Sequence, residues 1–160
     1  MHPNRPNRLS CALIAVLALV TAMVGFAARA GAAEDQGPAY CLALAMYFEA
    51  RSEGREAMEA VGWVVLNRVA APEFPDTVCG VVEQGREHGP CQFSWWCDER
   101  SNVPTEKAAW AKALELADEM LANPGQDPTG QALFFHDTTV EPDWTGLERI
   151  SQIGVHVFYR

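Results

Sequence analysis

From Leu9 to Ala28 the chain is almost wholly apolar, with Arg5 and Arg8 ahead of the run and the small-residue triplet Ala28-Arg29-Ala30 closing it. A basic start, an apolar middle and a small-x-small end predict an export signal over residues 1–30. A membrane anchor is the alternative, because the run approaches the ~20 residues a spanning helix needs. Gly31 to Pro38 reads as a short linker. A second apolar run, "CLALAMYF" from Cys41 to Phe48, has no polar break, then turns abruptly to Glu49, Arg51 and Glu53 before Gly54. With Pro38 at a helix start and Gly54 at a stop, the pattern predicts a first helix over Ala39–Glu53, apolar on every side yet carrying a carboxylate on its last turns.

The next segment is amphipathic. Met58, Val61, Val65, Leu66 and Val69 recur at helical spacing from Arg55 to about Ala70, and Pro72 ends the pattern. Pro75-Asp76-Thr77 introduces a short third helix through "TVCGVVEQ". Gly85 to Asn102 is rich in Gly, Pro and Cys, and its aromatic segment "CQFSWWCD" reads as a strand or a stapled loop. A helical pattern returns from Pro104 to Ala122 and closes at "NPG". Beyond it, "ALFFHDTTV" and "GVHVFYR" are β-rich, with "EPDW" and "TG" as turn material between them. Helices first and strands last predict an α+β domain over residues 39–160.

Charge and cysteines narrow the class. Without residues 1–30 the chain carries nine Lys and Arg against twenty-one Asp and Glu, a net charge of −12. Such a chain does not bind nucleic acid or an anionic membrane through its overall charge. Cys11 belongs to the leader, and Cys41, Cys79, Cys91 and Cys97 remain, an even number in an exported chain, which predicts two disulfides. Three pairings are open: Cys91 with Cys97 closes a short local loop, and Cys41 with Cys79 ties two helices. Zinc fits these cysteines badly, since no Cys-x-x-Cys pair occurs.

Candidate chemistry centres on Glu49. Positions 42, 45, 46, 49 and 53 share one helical face, so Glu49 extends the stripe of Leu42, Ala45 and Met46 to the lip of the core. Desolvation there raises a carboxyl pKa, the property a general acid needs near neutral pH. Arg51 and Glu53 are near enough in sequence to hold or oppose it. In an extended segment Trp95 and Trp96 face opposite sides, one inward and one outward and free to stack on a ligand, while Gln92 and Ser94 share a face with Trp96. Among His88, His136 and His156, the latter two lie in the β-rich blocks, where a metal pair with Asp137 or Glu49 is the competing reading. Tyr47, Tyr159 and Arg51 are further candidates for orienting Glu49 or a bound substrate.

The ordered blocks "YFEARSEG", "AVGWVVLNRV", "FPDTVCGVV", "CQFSWWCD", "FFH" and "IGVHVFYR" resemble the SleB-type cell wall hydrolase family over Cys41 to Arg160. The resemblance implies a compact lysozyme-like α+β domain: N-terminal helices around the catalytic Glu, a Cys/Trp-rich segment, a helix and a small C-terminal sheet. It implies that Glu49, the glutamate of the family's "EARGE" motif, is the acid that cleaves peptidoglycan glycan strands, as a muramidase or lytic transglycosylase needing no cofactor. Tyr47, Arg51, Glu53, Gln92, Ser94, Trp95, Trp96, His136 and Tyr159 are then the candidate substrate contacts. The alternatives are a metal-dependent N-acetylmuramoyl-L-alanine amidase and a non-catalytic peptidoglycan-binding domain. An exported protein of this kind is expected in the periplasm or at the wall, off the membrane once its signal is cleaved. No accessory binding repeat is read ahead of the domain, so targeting falls to the cleft or to a partner protein. Two positions depart from the family pattern: Ser52 replaces the glycine of "EARGE", and Val155 replaces the asparagine of "IGNHVFY".

Overall fold

A computed structural model describes residues 36–85 and 90–160. The export-signal reading, the linker up to residue 35, and His88 lie outside the described residues. The elements in order are α1 (Pro38–Ala50), α2 (Arg55–Ala70), α3 (Val78–Val82), α4 (Ser94–Cys97), α5 (Lys107–Ala122), β1 (Phe134–Asp137), β2 (Arg149–Ile153) and β3 (His156–Tyr159).

The unbroken apolar run is explained by position. Helix α1 is central, packed by α2, α3 and α5, and every residue from Cys41 to Tyr47 is buried. Its crossing with α2 and α5 is close: a Cβ at Gly62 would lie 2.3 Å from Met46 Cε and 3.0 Å from Met120 Sδ. The helix ends at Ala50, three residues short of the expected Glu53. There the Glu53 N–H bonds the Ala50 carbonyl at 3.0 Å in a tighter turn, and Gly54, at φ +93°, swings the chain into α2. Ser52 keeps a negative φ, so the backbone accepts the missing glycine. Helix α2 has the expected bounds. Helix α5 begins at Lys107 rather than Pro104 because Glu106 is extended. The buried Tyr47 hydroxyl accepts the N–H groups of Thr105 and Glu106, at 3.1 and 3.0 Å, and so seats that entry on α1.

The segment "CQFSWWCD" is neither strand nor simple loop; its centre is the short helix α4, with Trp96 N–H bonded to Phe93 O and Asp98 N–H to Ser94 O. Cys91 pairs with Cys97 at a Cα separation of 6.1 Å. Six extended residues would reach roughly 20 Å, so the disulfide requires the chain to coil. The other pair, Cys41–Cys79, joins α1 to α3 at a Cα separation of 5.2 Å.

The sheet is antiparallel in the order β1-β3-β2. Strand β2 falls in a stretch the apolar pattern leaves unmarked, and it carries a register irregularity between Arg149 and Ser151. The sheet packs on α2 through Phe158, Ala132, Ala60 and Val64, joined by Phe135 and Ile153. Two adjacent α2 residues lock this contact. Asn67 Nδ2 donates to Asp127 Oδ2 and to Ala132 O, both at 3.1 Å, and Arg68 Nε donates to Leu133 O at 2.8 Å. Asp127 in turn accepts the N–H groups of Thr129 and Gln131 at 2.7 Å each, which shapes the turn leading into β1.

Candidate active site

Where the helices meet the sheet there is a cleft of about 290 Å³. Glu49 and Arg68 reach it from the helices, Gln92 and Ser94 from the stapled segment, and Phe135, Asp137 and His156 from the sheet. Glu49 lies there because the last turn of α1 is the first point at which the central helix leaves the core.

Burial pushes the Glu49 carboxyl from its ordinary 4.5 up to about 7, against the lowering pull of the Trp95 indole and the Arg68 guanidinium. Those two groups replace the partners expected from sequence. Trp95 Nε1 and Arg68 Nη1 are both buried donors, and they favour the Glu49 anion, the indole as a hydrogen-bond donor and the guanidinium by its charge. Arg68 is only 3% exposed. It lies over the rings of Phe74, Phe93 and Phe134 at 5.3–5.8 Å, and burial holds its own pKa down to about 10 despite the attraction of Glu49. The surroundings therefore favour the neutral acid yet keep two donors ready for the anion.

The neighbours of Glu49 in sequence turn elsewhere. Arg51 pairs through Nε with Glu106 at 2.7 Å and lies over the Tyr47 ring at 5.0 Å. Glu53 Oε2 accepts the Val155 N–H at 3.3 Å and stands 3.6 Å from His156 Nδ1, so it braces the β2–β3 turn and does not line the cleft. Val155 meets Glu53 through its backbone N–H, a contact that any residue but proline can make. Tyr47 is core, its hydroxyl committed to the start of α5. Trp95 faces inward: 8% exposed, it stacks on Phe48 at 4.6 Å. Trp96 meets it edge-on at 5.9 Å and is half-buried.

On the sheet, cross-strand partners Asp137 and His156, and Phe135 and Phe158, share one face, the one turned to α2 and the cleft. His156 is buried, and burial lowers its pKa against the opposing pull of Glu53 and Asp137. His136 also reaches the cleft, but both ring nitrogens are engaged, Nδ1 with Asp137 O at 2.8 Å and Nε2 with the Tyr159 hydroxyl at 3.1 Å. Trp144 packs edge-on against both rings at 5.5 Å. Among the described residues no group of three His, Cys, Asp or Glu side chains is placed to hold a metal ion.

Three ionisable residues of the cleft, Arg68, Asp137 and His156, escaped the sequence reading or entered it only as metal ligands. Arg68 lay within reach of it, since Val61, Val64, Val65 and Arg68 form one buried α2 stripe in which a cation is anomalous. Asp137 was considered only as a metal ligand. The side chain and backbone N–H of Thr139 hold its carboxyl below the ordinary value, the N–H at 2.7 Å, so it stays ionised in the cleft that Glu49 also lines.

Comparison with known proteins supplies the context. The model of the Cell Wall Hydrolase family matches residues 52–159 and so begins just after Glu49. The chain is 33% identical over 119 residues to a spore cortex-lytic enzyme of Bacillus subtilis, covering 73% of this chain and 35% of that protein. It is 34% identical over 126 residues to one from Oceanobacillus iheyensis, covering 78% and 42%. The chain thus spans less than half the length of these curated relatives. Among solved structures, it resembles the catalytic domain of the Bacillus cereus SleB protein, with a TM-score of 0.58 and 30% identity over 78% of this chain and 91% of that one. The catalytic domain of the germination-specific lytic transglycosylase SleB from Bacillus anthracis gives 0.59 and 30% over 80% and 98%. The fold is the α+β, lysozyme-like arrangement that the resemblance implied.

Proposed function

The chain belongs to the cell wall hydrolase family, and from that membership we propose that it cleaves the glycan strands of peptidoglycan with Glu49 as its acid and base. The observation that carries this reading is a carboxyl raised to about 7 at the floor of a cleft, beside two buried donors that suit its anion. In its neutral form Glu49 gives a proton to the glycosidic oxygen as the C1–O bond breaks. The resulting carboxylate, facing Arg68 and Trp95, then takes the proton of the muramic acid 6-hydroxyl as that oxygen bonds to C1. Glu49 returns to its neutral state and the product ends in a 1,6-anhydro sugar. A pKa near 7 lets one group serve both halves at neutral pH. The similar SleB catalytic domain of Bacillus anthracis is that of a germination-specific lytic transglycosylase, which agrees with this one-glutamate scheme.

One observation favours a second reading. Glu49 and Asp137 line the same cleft with pKa values pushed in opposite directions, the pattern of an acid paired with an ionised stabiliser or base. In that scheme water rather than the 6-hydroxyl reaches C1. Mass spectrometry of fragments released from purified sacculi decides: anhydro-muramic ends support the first scheme and reducing ends the second. Free stem peptides would mean an amidase and overturn both. We place the site of action outside the cytoplasm, in the periplasm or at the wall, with residues 1–30 as the export signal. The two disulfides and the wall substrate support that placement. Among the described residues no helix is long and apolar enough to cross a membrane.

A further inference from the structure

Beyond Trp95 lies a second concavity, of about 260 Å³, bounded by Phe48, Arg51, Trp95, Asp98, Arg100 and the Ser101-Asn102 segment. Its lining has no residue in common with the Glu49 cleft, and Phe48 and Trp95 link the two. Phe48 directly precedes Glu49, its ring stacks on Trp95 at 4.6 Å and 21°, and the Trp95 indole acts on the Glu49 carboxyl. A substrate whose scissile bond lies at Glu49 therefore has this hollow within reach of its substituents.

The lining is unusual for this protein. In a chain of strongly negative net charge, two arginines converge here against one carboxylate. Asp98 Oδ1 is engaged, accepting the Arg100 backbone N–H at 3.0 Å and folding the loop. Arg51 spends Nε on Glu106. Among the described residues the Arg100 guanidinium has no ion-pair partner, whereas the Arg51 charge is already paired with Glu106. Uncharged sugar hydroxyls do not call for an unpaired guanidinium beside a second arginine. A carboxylate does, because a guanidinium grips it with two parallel hydrogen bonds. A negatively charged enzyme on an anionic polymer also gains from cations placed beside its cleft.

We propose that this second concavity is a subsite for a carboxylate of the acidic peptide branch borne by the glycan, with Arg51 and Arg100 as its cations and the Phe48–Trp95 wall as its apolar platform. The inference rests on the glycan-cleavage reading and adds to it that the enzyme prefers peptide-bearing strands to bare ones. Arg100 is exposed on a loop, so changing it leaves the core untouched.

Binding is read in the Glu49→Gln background, where turnover does not interfere, by calorimetry on soluble glycan strands with their peptides intact and on the same strands stripped of peptide. Intact strands should bind about tenfold more tightly at low salt, the size of one good charge-assisted contact. The preference should shrink as salt rises. Arg100→Ala should reduce it to about twofold or less, Arg51→Ala should weaken it, and Arg100→Lys should restore part of it. Equal affinity for the two strands, a salt-independent preference, or a preference that survives Arg100→Ala would overturn the proposal. Failure of the glycan-cleavage reading would appear separately, as the wrong products from the unmodified enzyme.

Discussion

Replacing Glu49 with Gln should stabilise the fold, and only at high pH. Burial carries this carboxyl from 4.5 in the unfolded chain to about 7 in the folded one. Between those values the folded protein holds a proton that the unfolded chain has released. The stability this group contributes is therefore complete below about pH 4.5 and is lost as pH rises through 7. Each pKa unit corresponds to about 1.4 kcal/mol, so the full loss approaches about 3 kcal/mol, and solvent at the cleft mouth reduces it to about 2–3 kcal/mol. Gln has nearly the same shape and never ionises. At pH 8 the variant should exceed the unmodified protein by that amount, a gain of roughly 10 °C in Tm for a domain of this size. At pH 4.5 the two should melt together. Thermal unfolding followed by circular dichroism at the two pH values measures the gap. A gap independent of pH, or a variant less stable at pH 8, would refute the claim that Glu49 is held neutral by desolvation.

Three further outcomes follow from the packing. Trp95→Ala removes a buried ring stacked on Phe48 and should cost about 3–5 kcal/mol, with Trp96→Ala costing distinctly less in the same melting experiment. Replacing Cys41 and Cys79 together by Ala opens a loop of sequence separation 38 and should cost about 3–4 kcal/mol; peptide mapping after alkylation of the unmodified protein should find Cys41, Cys79, Cys91 and Cys97 all unalkylated. Asn67→Ala frees the turn before β1 from α2 and should lower stability by about 1–3 kcal/mol in urea unfolding, with the loss concentrated in the sheet by hydrogen exchange.

What the sequence made legible is what depends on long periodic patterns. Helix α2 has its expected bounds, and the apolar run of α1 marked both the central helix and the point where it surfaces at Glu49. The four residues of α4 are too few for helical and strand periods to differ, and only the Cys91–Cys97 closure decides between them. Strand β2, "RISQI", has a half-exposed, polar pattern and exists because β3 offers it a partner. The missed site residues follow the same division. Glu49 was found through its own helix, whereas Asp137 reaches the cleft through sheet register and Arg68 through the packing of sheet on helix, neither of which is written in local spacing.

The central claim is most directly tested by the turnover of Glu49→Gln on purified sacculi, beside Glu53→Gln, with folding confirmed by circular dichroism. Loss of general acid catalysis is worth ~10²–10⁴ in rate, so the first variant should lose at least that much while still binding sacculi. Glu53→Gln should retain most of its turnover, because Glu53 faces the β2–β3 turn and not the cleft. Near-normal cleavage by a folded Glu49→Gln would contradict the account.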